Sequence, residues 1–276
     1  MEEKKKKILL AGGGAAVILI VAVIAFAAGA GSHKRESTET LSRKVDRQQE
    51  MVQASPVATE EPVEAALAEE EIYTFLQGPK SWGERQTWSG EWGTSFYNGG
   101  SFGGFGCGLC CIANIYSTLT KYQCTPVDAY HYAKRKTEYA GGGAIAWGYI
   151  RRTLNSLGFE CGVKKKTSSY KEFQQDIRES DSAIVLVSSA DSECYWKETP
   201  GHYVTIFLYD EKSDSIFLAD SGEPKHNRKR VPLKKIYKSL KTASEWQYLL
   251  VGEYDKKKDD WKHKKAEGNW VKPETS

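Results

Sequence analysis

The sequence predicts an α+β fold in which N-terminal helices pack on an antiparallel sheet, with one transmembrane helix before the folded domain. Three observations predict it. Apolar residues recur at helical spacing between residues 107 and 157, and short β-branched runs follow after residue 182. Helices followed by strands, instead of alternating with them, indicate an α+β domain. Near the start of the chain, residues 8–28 carry no charged side chain.

The uncharged segment 8–28 is 21 residues long, which is enough to cross a bilayer core of ~30 Å. The apolar part of a secretory signal is usually only ~7–15 residues. We therefore expect an uncleaved signal anchor within residues 1–30 and a single-pass protein of the cell membrane. Lysine and arginine counts do not decide the orientation, but the lysine cluster before the span resembles a signal n-region and places the C-terminal domain outside the cell. Cleavage after Ala27 or Ala30 would give a secreted form.

Composition divides the rest of the 276-residue chain into three parts. Residues 31–72 are polar and poor in aromatic side chains, which predicts a tether. Aromatic content rises over residues 73–254, the predicted domain, and residues 255–276 form a lysine-rich tail. After residue 72 there are 30 basic and 24 acidic side chains, a net charge of about +6, which is no nucleic-acid signature.

Within the domain, hydrophobic periodicity and turn residues predict the regular elements. The predicted helices cover residues 107–119, 126–137 and 144–157. Thr125 and Pro126 are typical of a helix start, and Gly158 is typical of a helix end. The predicted strands cover residues 73–76, 182–188, 202–209 and 215–220, the last two joined as a hairpin through the polar turn at residues 210–214.

Cys107 lies where a glycine-rich, aromatic loop meets an apolar helix, between Gly106 and Gly108. A thiol at a helix start is close to unpaired backbone N–H groups and to the positive end of the helix dipole, which favour the thiolate. Cys110 and Cys111 come one turn later in a helix that is apolar nearly all round, which indicates ordinary core residues. Cys107 is therefore the candidate nucleophile.

His202 is the candidate base among five histidines, because it opens a strand directly after Pro200 and Gly201. If the following hairpin turn centres on Lys212, Asp220 lies opposite Val204 and diagonal to His202. Diagonal neighbours are ~7–8 Å apart, close enough for an imidazole and a carboxylate to meet. A shift of one residue in register would turn Asp220 to the other face of the sheet. A cysteine nucleophile needs such a base, and the base needs an acceptor that fixes its orientation.

Several short motifs support the same interpretation. They are Phe75-Leu76-Gln77 followed by Trp82, Gly106-Cys107-Gly108, Thr125-Pro126, Gly141-Gly142-Gly143 before Trp147, Gly201-His202-Tyr203-Val204, and Asp220 at the end of the next strand. In this order and spacing, over nearly all of residues 73–220, the chain resembles the C39-like cysteine peptidases of the papain-like superfamily. It departs from them at Leu109 and Cys110, where the family often has proline and a small residue, and at Ser221, where proline usually follows the aspartate.

The resemblance implies a papain-like cysteine peptidase fold and a role for each site residue. Cys107 would attack a carbonyl carbon, His202 would transfer the proton, and Asp220 would orient His202. Gln77 would stabilise the oxyanion together with the backbone N–H of Cys107. Gln86 and Asn98, in the same aromatic loop, are alternatives to Gln77.

The predicted function is that of a membrane-anchored extracytoplasmic cysteine peptidase, a thiol hydrolase of peptide or amide bonds. Its expected substrate is a protein or a peptide, cell-wall peptide included. We expect membrane contact through residues 8–28, and neither a cofactor, a metal nor a nucleic acid is implied.

Three alternatives stay open on the sequence alone. Cys107-Gly108-Leu109-Cys110 is formally a C-x-x-C at a helix start, as in thioredoxin-like oxidoreductases. A catalytically silent binding module on a tether would keep the same fold. Zinc could be held by Cys107 and Cys110 with His131 or Cys124, although a structural zinc site usually has two such pairs.

The six cysteines bear on the expected extracellular environment. If Cys107 is free, at most two disulfides can form among the other five. A Cys161–Cys194 bond is one such pairing.

Overall fold

A six-stranded antiparallel sheet with helices on both faces organises the folded body, as the sequence predicts for an α+β domain. The computed structural model describes residues 67–78, 91–189 and 194–266. They all fall in one unit of the chain, Val63–Ser276, whereas the other unit, Met1–Pro62, lies outside them. The predicted span 8–28 and most of the tether are therefore not described. Within the described ranges, no helix combines the length and the apolar character needed to span a bilayer.

In the described part of the chain, four of the six α-helices precede residue 158, and all six strands of the large sheet follow it. The helices are α1 (Phe102–Phe105), α2 (Cys107–Leu119), α3 (Pro126–Lys136), α4 (Trp147–Ser156), α5 (Tyr170–Arg178) and α6 (Leu233–Ser239). The strands are β1 (Phe96–Tyr97), β2 (Gly100–Ser101), β3 (Phe159–Lys164), β4 (Ser182–Val187), β5 (His202–Asp210), β6 (Ser215–Ala219), β7 (Lys229–Pro232) and β8 (Tyr248–Tyr254). β1 and β2 form a separate hairpin, and the large sheet has the order β3-β8-β4-β5-β6-β7.

The two faces of the large sheet bury two separate apolar clusters. Helices α2, α3 and α4 cover one face, where Ile184, Tyr203 and Phe207 point into the first cluster. Helices α5 and α6 cover the other face, where Val204 and Ile206 point into the second cluster. Since side chains alternate along a strand, β5 contributes residues to both clusters.

Helix α2 occupies the position that its composition predicts. It is buried over all of its residues from Cys107 to Ser117, as expected of a helix that is apolar nearly all round. The next helix, α3, begins at Pro126 with a capping box: Asp128 N donates to Thr125 Oγ1 at 3.1 Å, and Thr125 N donates to Asp128 Oδ2 at 2.9 Å. These bonds satisfy backbone donors that a helix start otherwise leaves unpaired.

The β5–β6 hairpin has the predicted register at the end that matters for the site. Thr205 pairs with Ala219 and Phe207 pairs with Phe217, so continuation of the ladder sets Asp220 opposite Val204. The turn itself is not centred where predicted, because the register shifts by one residue between Phe207 and Asp210. This bulge accounts for the one-residue shift at the turn, and the pairing next to Asp220 is the predicted one.

The segment Tyr73–Leu76, predicted as a strand, is irregular and is held by side chains. Tyr73 N donates to Thr118 Oγ1 at 3.0 Å, and Phe75 N donates to Asn114 Oδ1 at 2.8 Å. Because α2 side chains accept from these amides, the segment does not need a strand neighbour. The strand prediction for 73–76 is therefore wrong.

The beginning of the predicted C-terminal tail belongs to the folded body. Within residues 255–266, the Asp259 carboxylate is buried and accepts from the hydroxyl of Tyr116 at 2.8 Å. Trp261 stacks on Tyr132 of α3, with ring centroids 4.6 Å apart. Burial of these rings gives the segment the apolar contacts that a mobile tail lacks.

All six cysteines are free thiols, so the Cys161–Cys194 pairing is wrong for this structure. Cys161 lies in β3, the edge strand of the sheet. Cys194 follows β4 and precedes Tyr195, whose backbone N–H donates to Ser239 Oγ at the end of α6. The strand β8 lies between β3 and β4, so the strand that carries Cys161 is not adjacent to the strand that Cys194 follows.

Candidate active site

Cys107 is the first residue of α2 and follows the one-turn helix α1 through Gly106. Gly106 has a helical conformation (φ −75°, ψ −1°), and a Cβ there would come within 2.3 Å of the Phe102 ring. A Cβ on Gly108 would come within 2.5 Å of Ile145. Glycine on both sides therefore lets α1 and α2 join tightly at the thiol, which is only 7% exposed.

His202 and Asp220 lie at the same end of neighbouring strands, His202 opening β5 and Asp220 following β6. His202 Nε2 and Asp220 Oδ1 are 2.8 Å apart. The Cys107 thiol and the His202 imidazole lie close enough for each to shift the pKa of the other. Because Asp220 occupies Nε2, we assign Nδ1 as the imidazole nitrogen that meets the sulfur. The structure thus brings together the three residues that the sequence selects.

The three groups shift one another's ionisation in the direction of an ion pair. Burial alone would raise the pKa of the Cys107 thiol, but the hydrogen bond and charge of His202 lower that pKa below its ordinary value. Burial alone would lower the pKa of His202, yet the Asp220 carboxylate and the Cys107 sulfur raise it to about 10. The pKa of Asp220 is held well below its usual range, against burial, chiefly by His202. The arrangement favours thiolate, imidazolium and carboxylate together.

The backbone N–H groups of Gly108 and Tyr203 also act on the pKa of the Cys107 thiol. The Gly108 donor belongs to the first turn of α2, as the helix-start prediction expects. The Tyr203 donor belongs to β5 and could not be predicted from the local sequence of Cys107. Both donors lower the thiol pKa, because a hydrogen bond to the charged form favours that form.

Four further groups fix the Asp220 carboxylate and backbone. Trp196 Nε1 donates to Oδ2 at 2.8 Å, and the N–H groups of Gly222 and Glu223 donate to Oδ1 at 2.9 and 3.2 Å. The backbone N–H of Asp220 donates to Asn227 Oδ1 at 3.0 Å. None of these donors and acceptors belongs to the motifs that the sequence offers. Trp196 and Asn227 depend on how separate loops meet, which spacing does not reveal.

Gln77, the predicted oxyanion donor, is buried beside the site and held at both ends of its amide. Nε2 donates to the Gly103 carbonyl at 3.0 Å, and Oε1 accepts from Ser221 Oγ at 2.7 Å. The Gln77 backbone N–H donates to the Ser221 carbonyl at 2.8 Å. Ser221 directly follows Asp220 and is also hydrogen-bonded to Cys110, one turn beyond Cys107. An NH₂ group has two hydrogens, so one remains beyond the bond to Gly103.

Of the two alternatives to Gln77, Asn98 and Gln86, the structure describes Asn98 alone. Asn98 is exposed in the turn between β1 and β2, where its Nδ2 donates to the Gly141 carbonyl at 3.3 Å. It is therefore engaged away from Cys107. Gln86 lies outside the described residues.

The other cysteines of α2 have the character of core residues. Burial raises the pKa of Cys110 and of Cys111 well above the ordinary value. Cys111 is hydrogen-bonded to Thr205 of β5, inside the first apolar cluster.

The possible zinc ligands do not converge, since His131 is exposed on α3 while Cys124 is buried. Over residues 67–78, 91–189 and 194–266, no group of three or more His, Cys, Asp or Glu side chains is placed to hold a metal.

A cleft of about 410 Å³ opens beside the base half of the site. His202, Asp220, Trp196, Tyr195 and His226 are among the residues that line it. A group bound there would lie next to the imidazole, on the side where Asp220 holds it.

Comparison with known proteins gives one likeness of interest. No protein-family model matches the chain, and no curated protein matches it. Among solved structures, the chain is similar to a crystal structure of a Bacillus anthracis protein provisionally described as a C39-like peptidase. The two sequences are 12% identical, the TM-score is 0.34, and the match covers 54% of this chain and 90% of that one. At this identity and TM-score the likeness carries no conclusion about fold or activity.

Proposed function

We propose that this protein is a cysteine peptidase that hydrolyses peptide or amide bonds with Cys107, His202 and Asp220. One observation carries the proposal. The Cys107 thiol lies beside the His202 imidazole, which lowers the thiol pKa and whose Nε2 lies 2.8 Å from the buried Asp220 carboxylate. A structural cysteine needs no such chain of partners, whereas a thiol nucleophile needs a base and the base needs an orienting acceptor.

The geometry supports a two-step hydrolysis. The Cys107 thiolate attacks the carbonyl carbon, and the carbonyl oxygen becomes an oxyanion. His202 Nδ1 then gives its proton to the leaving nitrogen as the C–N bond breaks, which leaves a thioester on Cys107. Water attacks the thioester and gives a proton to His202, and the thiolate leaves. Asp220 keeps the imidazole oriented and stabilises its positive charge through both steps.

Gln77 is suited to stabilise the oxyanion. Its amide is fixed by Gly103 and Ser221, so little reorganisation is needed when negative charge develops. We assign it this role together with the backbone N–H of Cys107. The narrow exposure of the thiol means that the substrate carbonyl must enter in a defined orientation, as an extended peptide can.

We propose further that the enzyme acts at the outer face of a membrane, anchored through residues 8–28. The proposal follows from the uncharged length of that segment and from the lysines that precede it. Protein and peptide substrates at the cell surface, cell-wall peptide included, are the substrates that this location provides.

Replacement of Cys107 tests the proposed activity. We expect Cys107→Ala to abolish both hydrolysis of a quenched-fluorescent peptide library and labelling by a thiol-directed probe. Cys110→Ala is the matched control, because it removes a buried thiol one turn away on the same helix. It should retain hydrolysis within about threefold, as expected for a core change that leaves the reacting groups in place. Turnover that persists in Cys107→Ala would refute the proposal.

Assays of the wild type and of the Cys110 variant distinguish the peptidase from an oxidoreductase and from a silent binding module. A thioredoxin-like oxidoreductase would lose disulfide exchange when Cys110 is replaced. A silent binding module would show no hydrolysis in the wild type, and its Cys107 would react with iodoacetamide no faster than free cysteine.

A further inference from the structure

A second histidine lies against the carboxylate that orients His202. His226 Nδ1 is 3.5 Å from Asp220 Oδ2, whereas His202 Nε2 is 2.8 Å from Oδ1. The Nδ1 atom of His226 is buried, and within residues 67–78, 91–189 and 194–266 it has no hydrogen-bond partner. A buried polar atom of this kind needs an explanation, since leaving it unpaired costs free energy. The nearest charged atom to explain it is the Asp220 oxygen.

The surroundings of His226 fix its ring in this position. The ring lies against Tyr195 with centroids 4.3 Å apart, and its backbone N–H donates to the Glu223 carbonyl at 2.9 Å. Lys235 of α6 lies over the Tyr195 ring, 5.6 Å from its centroid. The charged and titratable groups around His226 are Asp220, Tyr195 with Lys235 behind it, and Glu223 of its own loop, and Lys197 and Glu198 line the same cleft. Asp220 is the one among them that also contacts His202.

We propose that His226 is a positioning residue that shares the Asp220 carboxylate with His202, and that its protonated form competes with His202 for that carboxylate. Neutral His226 packs against Oδ2 and excludes water from it. Protonated His226 places a second positive charge beside the same buried carboxylate. Asp220 then supports the His202 imidazolium less, and His202 in turn supports the Cys107 thiolate less. Acidification would thus lower the reactivity of Cys107 through two protons, one on the sulfur and one on His226.

The inference rests on the proposed function only in treating Cys107 as the reactive thiol, and its test does not need hydrolysis. The rate of Cys107 alkylation by iodoacetamide, read by mass spectrometry of the peptide that contains it, reports the thiolate directly. We expect the rate to fall more steeply on acidification to about pH 5.5 in the wild type than in His226→Gln, with an acid sensitivity at least ~threefold smaller in the variant.

Three companion variants make the result specific. His226→Phe keeps an aromatic ring against Tyr195 but cannot be protonated, so it should show the same reduced sensitivity and serves if His226→Gln folds poorly. His131→Gln removes an exposed histidine of α3 and should behave like the wild type. In an Asp220→Asn background, His226→Gln should change nothing, because the carboxylate through which it acts is gone.

Equal acid sensitivity in the wild type and both His226 variants would overturn the inference. An effect of His226→Gln that survives in Asp220→Asn would overturn it as well, because His226 would then act by another route. These outcomes differ from a failure of the proposed function, which is measured by hydrolysis: no peptide or amide would be hydrolysed, whatever the acid sensitivity of Cys107 alkylation.

Discussion

The nucleophile and the base of the site come from opposite faces of the sheet. Cys107 belongs to the cluster under α2, α3 and α4, whereas Trp196, which holds the Asp220 carboxylate, belongs to the cluster under α5 and α6. Along β5, His202 has the same parity as Val204 and Ile206, which point into the second cluster. Yet the His202 imidazole lies close enough to Cys107, in the first cluster, for the sulfur to raise the pKa of His202.

This difference explains why the site lies at the ends of β5 and β6. A side chain in the middle of a strand is confined to one face, but the first residue of a strand can reach round the end of the sheet. His202 is that residue in β5, and Asp220 is the residue directly after β6. The nucleophile face supplies a rigid, buried thiol, and the opposite face supplies the hydrogen bonds that orient its base. The two faces of the sheet are coupled through the imidazole of His202.

Removal of that imidazole should break the coupling most severely. In His202→Ala we expect hydrolysis to fall by ~10²–10⁴-fold, the usual contribution of a general acid and base. Alkylation of Cys107 at neutral pH should fall at least ~30-fold, because a thiol with an ordinary pKa of ~8.5 is only a few per cent ionised there. His131→Ala, at an exposed site on α3, is the control. An unchanged alkylation rate in His202→Ala would show that the two faces are not coupled in this way.

The pH dependence should separate the two halves of the ion pair. Below the lowered pKa of Cys107 the thiolate gains a proton, so both hydrolysis and alkylation should decrease there. As the pH rises through about 10, His202 loses the proton that the leaving group needs, and only hydrolysis should decrease. The alkaline fall should approach about tenfold per pH unit, and the acid fall should be at least as steep. Rate profiles for both reactions on the same preparation would check this, and a parallel alkaline fall in alkylation would contradict it.

A methyl group placed against the imidazole should disturb the base without touching the nucleophile. A Cβ on Gly222 would lie 2.9 Å from His202 Cε1 and 3.0 Å from Nε2. We expect Gly222→Ala to reduce hydrolysis by about tenfold, because the ring must move from its productive position. Gly148→Ala is the matched control: it lies in α4, and a Cβ there meets nothing within 4 Å. The control should keep full activity and unfold at a slightly higher temperature.

The smallest effect on hydrolysis should come from loss of the hydrogen bond that Trp196 donates to the Asp220 carboxylate. Trp196→Phe removes one of several hydrogen bonds to the carboxylate, while the backbone donors remain. We expect about a threefold loss in hydrolysis, since a single hydrogen bond to a charged group contributes modestly when others persist. Trp261→Phe, which alters the stack on Tyr132, should affect thermal stability but not the rate. If Trp261→Phe lowered the rate as much as Trp196→Phe, the effect would be one of general stability.

Features of the site that depend on neighbouring residues can be predicted from the sequence, whereas features that depend on contacts between distant segments cannot. The extent of α2 and the register next to Asp220 are local properties, set by periodicity and by a hairpin, and both are predicted correctly. The identity of Trp196 and Asn227 as partners of Asp220 is not local, because three separate segments meet there. Periodicity also misleads at Tyr73–Leu76, where α2 side chains replace a strand neighbour.

The pairing of strands β3 and β8 could not be predicted from the sequence either. They pair with each other at one edge of the sheet, although nearly 90 residues separate them in the chain. The alternating burial of β3 from Phe159 to Lys164 is typical of an edge strand. Without a turn that joins it to its partner, this strand carries no hairpin signal.

The segment after β8 sets the minimum length of a truncated protein. A version that stops at Tyr254 would lack Asp259, the acceptor for the Tyr116 hydroxyl, and Trp261, which covers Tyr132. Since Tyr116 lies on the same helix as Cys107, the loss would uncover part of the helix that carries the nucleophile. Expression for crystallisation or screening should therefore retain the chain at least to Ala266, the last residue that the structure describes.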